Sequence, residues 1–127
     1  MNSPAARVVS AEPAWRGVCR LSDLVPGSGV AARLGSDQVA LFHTPEGVFA
    51  IGNFDPCSGA NVLSRGIVGD LDGRLVVASP VYKQHFCLRT GECLEDPGVR
   101  VPTWPVQVAG EDVLLADQPQ SAAALER

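Results

Sequence analysis

Val30-Ala31-Ala32-Arg33-Leu34-Gly35-Ser36-Asp37-Gln38-Val39-Ala40-Leu41-Phe42-His43-Thr44-Pro45-Glu46-Gly47-Val48-Phe49-Ala50-Ile51-Gly52 holds three short apolar or alternating runs divided by two turn signals. Gly35-Ser36-Asp37 links Val30–Leu34 to Gln38–His43 as a hairpin connection. Thr44-Pro45-Glu46-Gly47 places proline and glycine for a tight turn before Val48–Gly52. The same rhythm continues outward. Trp15–Arg20 is a candidate first strand, followed by the turn Pro26-Gly27-Ser28-Gly29. Leu71-Asp72-Gly73-Arg74 leads into Leu75–Ala78, and Gln84–Leu88 ends in the turn Arg89-Thr90-Gly91-Glu92. Trp104–Val108 and Val113–Ala116 form a last hairpin around Ala109-Gly110-Glu111-Asp112. Strands this short, with frequent turns, predict an all-β antiparallel sandwich or barrel. No window carries a persuasive 3.6-residue period, which excludes a helical bundle.

One domain is expected over residues 15–117, with tails at 1–14 and 118–127; Ser121–Arg127 favours helix locally but is too short to hold one alone. The 127 residues are 46% hydrophobic and 19% charged, enough to bury a single core. Ten Lys+Arg against fourteen Asp+Glu give a net charge of −4, which argues against nucleic-acid or anionic-membrane binding. Met1–Pro13 has no apolar run of the secretory kind, and strongly apolar stretches such as Leu75–Ala78 run to only four residues. The expectation is a soluble, cytoplasmic protein with reduced cysteines. Trp15, Phe42, Phe49, Phe86 and Trp104 are expected in the core.

Asn53–Gly66 is a long loop with room for one helical turn, and Ala78–Glu92 contains a second loop before its strand. The four cysteines and two histidines of the chain leave little for a metal. Cys57, His85, Cys87 and Cys93 could supply three thiolates and an imidazole to zinc, but they lack a Cys-x2-Cys knuckle. Cys57 with His85, and Asp55 as orienting carboxylate, could make a thiol nucleophile if the loops meet. Buried packing of the cysteines is the simpler reading. Asp70, Asp72, Glu92, Glu95 and Asp96 read as turn and solvent-facing charges.

The strings Asp55-Pro56-Cys57-Ser58-Gly59-Ala60 and Ser79-Pro80-Val81-Tyr82-Lys83, with Phe86 and Thr90-Gly91 beyond, resemble the two loops of a Rieske [2Fe–2S] domain. There the pattern is C-P-H-x-G-A and C-P-x-H-G, in which two cysteines and two histidines hold two irons. On that frame Asp55 and Ser79 stand at the cysteine positions, and Cys57 and Tyr82 at the histidine positions. The frame is kept and the ligands are gone, so no metal, cofactor or catalytic residue is expected in this chain. Longer strings narrow the likeness: Ser58-Gly59-Ala60-Asn61-Val62-Leu63-Ser64-Arg65-Gly66, Tyr82-Lys83-Gln84-His85-Phe86 and Thr90-Gly91-Glu92-Cys93-Leu94-Glu95-Asp96. They are similar to the small subunit of assimilatory NAD(P)H-dependent nitrite reductase, a cluster-less Rieske-like family. The resemblance implies a large-subunit partner bearing FAD, an iron–sulfur cluster and siroheme, and a supporting role in reducing nitrite to ammonium. It also implies that Arg65, Tyr82, Lys83 and His85, on or beside the loops at one end, contact that partner. The alternatives are a free-standing interaction module for another oxidoreductase, or a metal- or thiol-dependent enzyme.

Overall fold

The computed structural model describes residues 14–120. Most of both predicted tails, including Ser121–Arg127, lies outside the described residues. Twelve strands follow in order: β1 Trp15–Arg20, β2 Gly29–Leu34, β3 Asp37–Thr44, β4 Gly47–Gly52, β5 Phe54–Asp55, β6 Ala60–Asn61, β7 Ile67–Leu71, β8 Arg74–Ala78, β9 His85–Cys87, β10 Thr103–Trp104, β11 Val106–Ala109 and β12 Asp112–Ala116. Single 3-10 turns occupy Leu21–Asp23 and Leu63–Arg65. The sheets run β10-β4-β3-β2, β1-β12-β11, β7-β8-β9 and the small ribbon β5-β6. Every strand pair is antiparallel.

The quoted stretch builds the middle of the molecule. Val39, Ala40, Leu41 and Phe42 of β3 are all fully buried, without the polar alternation of a one-sided sheet. Alternation instead sends them to two cores. Ala40 and Phe42 pack with Ile51, Leu63, Val77, Phe86, Leu88, Cys93 and Val101. Val39 and Leu41 pack with Leu24, Leu34, Ala50, Trp104, Val113 and Leu115. The four-stranded sheet is therefore covered on both faces, by β7-β8-β9 with the first loop and by β1-β12-β11.

Two expectations are corrected, and one further strand is found. Ile67–Leu71 is a strand, closed onto β8 through Asp72 and Gly73, which both have positive φ (54° and 81°). Asp-Gly between paired runs is the two-residue hairpin signal, and it was the cue for this strand. The expected strand Trp104–Val108 is two strands: Thr103–Trp104 pairs with β4, and Val106–Ala109 pairs with β12. Pro105, with no N–H to give a ladder, divides them and hands the chain from one sheet to the other. Trp15 is 42% exposed on the edge strand β1 rather than in the core. Phe42, Phe86 and Trp104 are buried, while Phe49 is half-buried beneath the Arg89 guanidinium, 5.0 Å from its ring centre.

Candidate functional site

The two loops leave the same end of the fold and are fastened to it separately. Asn53 holds the first at both of its ends. Its backbone N–H donates to the Gln38 carbonyl (2.9 Å) and its carbonyl accepts from Leu63 N–H (3.1 Å). Its side-chain amide donates to Gln38 Oε1 (3.2 Å), and its Oδ1 accepts from Ser64 N–H (2.7 Å). Asn53 is a buried polar residue with each of these groups answered, which sequence reading passed over. At Gly66 the same loop is pressed against β8. A Cβ there would sit 2.4 Å from the Ala78 carbonyl oxygen, so only glycine permits the approach.

The second loop closes on itself through Ser79 N–H to the Gln84 carbonyl (2.8 Å) and Lys83 N–H to the Ser79 carbonyl (3.1 Å). His85, where β9 begins, is clasped by Glu95: its backbone N–H donates to Glu95 Oε1 (2.8 Å) and its Nδ1 lies 2.6 Å from Oε2. Partial burial pushes the Glu95 carboxyl up, but the His85 backbone N–H and ring outweigh that and hold it below its ordinary value. Glu95 is thus a partner for the loop rather than a free surface charge. Glu92 is likewise engaged, accepting from Arg74 at 3.0 Å.

One bond joins the loops. Ser79 Oγ donates to Asp55 Oδ2 at 2.6 Å, between two fully buried residues 24 positions apart. The other carboxyl oxygen, Oδ1, accepts from Cys57 N–H (2.9 Å), and Ser79 Oγ accepts from Val81 N–H (3.3 Å). Both carboxyl oxygens of Asp55 are therefore occupied inside the protein.

The remaining positions of the frame behave differently. Cys57 is partly buried, and burial, reinforced by the charge of Asp55, pushes its thiol up from its ordinary value. That is the reverse of what a nucleophile or metal ligand needs. No hydrogen bond joins Cys57 to His85 among the described residues, and the His85 ring is given to Glu95 instead. The thiol whose surroundings lower its pKa is Cys87, where burial is outweighed by hydrogen bonds from Thr90, Arg89 and Arg74. It is buried and so shielded from reagents. All four cysteines are free thiols, and among the described residues no three His, Cys, Asp or Glu side chains group as a metal site requires. The four-residue zinc set of Cys57, His85, Cys87 and Cys93 is not assembled. Tyr82 is 61% exposed at the loop tip. A cavity of about 290 Å³ lies beside the first loop, and none of the four frame positions lines it.

Residues 14–116 match the family model described as a Rieske-like [2Fe-2S] domain. The nitrite reductase (NADH) small subunit of Salmonella typhimurium is 44% identical over 96 residues, covering 74% of this chain and 89% of that protein. The chain belongs to the nitrite reductase small-subunit family of Rieske-like domains. The solution structure of the nitrite reductase [NAD(P)H] small subunit from Erwinia carotovora is 44% identical with a TM-score of 0.71, covering 84% of each chain. A third relative is longer. The nitrite reductase [NAD(P)H] large subunit of Klebsiella oxytoca is 41% identical over 110 residues, 87% of this chain but only 12% of that protein.

The cluster in the family model's description does not suit the residues present. A carboxyl and a hydroxyl bonded to each other, a thiol with raised pKa and an exposed phenol are not the donor set of two thiolates and two imidazoles. This member of the family keeps the loops that would surround a cluster and lacks the cluster ligands.

Proposed function

We propose that this chain is the cluster-less small subunit of an NAD(P)H-dependent nitrite reductase and docks on the large subunit through its two loops. The reading is carried by the similarity to a small subunit over 89% of that protein's length. The Klebsiella oxytoca relative adds support, because there a matching domain is a short part of a much longer chain. Tethering in one chain raises the effective concentration of two parts that work together. The complex acts in the cytoplasm and reduces nitrite to ammonium for nitrate assimilation. FAD, an iron–sulfur cluster and siroheme reside on the large subunit, and electrons pass through them rather than through this chain.

Within that reading the small subunit contributes shape. Arg65, Tyr82 and Lys83 meet the large subunit, and His85, clasped by Glu95, fixes the second loop at its base. The Asp55–Ser79 bond keeps the loops together. The test is co-purification with the large subunit and nitrite-dependent NAD(P)H oxidation measured with and without this chain. A stable complex and a higher rate are expected. No complex and an unchanged rate would overturn the reading. Among the described residues no helix is long and apolar enough to cross a membrane.

A further inference from the structure

Lys83 has a φ of +68°, one of two non-glycine residues with positive φ among those described. The other, Asp72, sits in a two-residue hairpin turn, where aspartate is well tolerated. Lysine has no such local excuse, and its left-handed backbone carries a steric cost from the crowding of its Cβ against the following carbonyl. Glycine would remove that cost, so the ammonium group stands at the loop tip at some expense to stability. A strained residue that persists at a loop tip points to a use for its side chain.

The surroundings say what the use is. Seven large apolar side chains are exposed among the described residues, and three are here: Ile67 at 76%, Tyr82 at 61% and Val81 at 45%. Ile67 pairs with Ala78, which pairs with His85, so Ile67 lies in the cross-strand row from which the second loop springs. Arg65 precedes Gly66, whose backbone is pressed against Ala78. Among the described residues the ion pairs engage Arg74, His85 and Arg89, leaving Arg65 and Lys83 unpaired. Glu95, which clasps the base of the same loop, is turned to His85. A chain of net charge −4 therefore presents an apolar tip flanked by two uncommitted cations.

We propose that Ile67, Val81, Tyr82, Lys83 and Arg65 form a docking patch for a carboxylate-bearing protein surface on the large nitrite reductase subunit, with Lys83 as its anchoring cation. This rests on the reading above. Apolar contact supplies the buried centre, and the cations fix orientation against the partner's carboxylates.

The experiment is titration of the co-expressed organism's own large subunit with the full-length wild-type chain, Lys83→Gly, Lys83→Arg and Ile67→Ser. It is run at low ionic strength and again at about 1 M salt, where the screening length is about 3 Å. Lys83→Gly should melt at a higher temperature than wild type yet bind about tenfold more weakly at low salt, a deficit that closes at high salt. Lys83→Arg should keep binding, and Ile67→Ser should weaken it at both salt concentrations. Lys83→Gly binding as tightly as wild type, or losing affinity equally at both salt concentrations, would overturn the proposal while leaving the docking reading intact. Failure of the wild-type chain to bind the large subunit at all would overturn both.

Discussion

Ser79 and Asp55 give the residue scale its clearest outcome. Ser79→Ala strips the donor from a fully buried carboxyl oxygen, and an unanswered buried acceptor costs about 1–3 kcal/mol. Urea unfolding should report that loss, while Ser79→Ala leaves Asp55 Oδ1 with its Cys57 N–H. A variant as stable as wild type would show that the bond contributes nothing net. Cys57 makes a second case. Because its pKa lies above the ordinary 9.0, its thiolate fraction at neutral pH is below that of an unperturbed cysteine. Iodoacetamide should label it more slowly than a free thiol, with the difference narrowing as pH climbs past 9.0. Fast labelling at neutral pH, removed by Cys57→Ser, would contradict the assignment.

At the scale of elements, the second loop is tied to β9 by a group whose protonation can be followed. Glu95 has its folded pKa held below 4.5, so its contribution is present above that value and fades as pH falls through the lowered one. Hydrogen exchange should show the protection factor of the His85 amide dropping in that acid window and steady above it. Glu95→Gln should flatten the response. The first loop is held by contact rather than charge. Gly66→Ala forces a methyl group toward the Ala78 carbonyl, and a loss of about 2 kcal/mol is expected in thermal or urea unfolding. These elements also show why only part of the fold was legible. The hairpin of β2, β3 and β4 carries its turns in glycine and proline and its burial in a continuous apolar run. Ile67-Val68-Gly69-Asp70-Leu71 has a glycine and an aspartate in its second half and hides as a turn unless Asp72-Gly73 is taken as the hairpin. Trp104–Val108 keeps a strand-like composition across Pro105, and composition does not say that two sheets share it. The site was legible as positions but not as bonds. The resemblance to the Rieske loops placed Asp55 and Ser79 on the frame, but a contact 24 residues apart depends on how the loops are folded back, as does the clasp of Glu95 on His85.

For the whole molecule, the handover at Pro105 matters most, because β10 belongs to the central sheet and β11 to the one that covers it. Neither core can come apart without pulling on the other, which favours one cooperative transition. In a Trp15→Phe background Trp104 is the sole tryptophan. Its fluorescence and the far-ultraviolet circular dichroism should then give superimposable unfolding curves, and separated curves would mean two independent units. A chelator should leave the midpoint unmoved, since metal-linked folding would lower it. The Asp55–Ser79 bond carries that independence one step further. A protein whose tip is completed by an inserted inorganic group waits for delivery of iron and sulfide and is vulnerable to dioxygen afterwards. Here the loops are finished by two side chains made on the ribosome. This end of the molecule is complete as soon as the chain has folded, whatever the iron supply, and oxidants that destroy clusters find nothing there to dismantle.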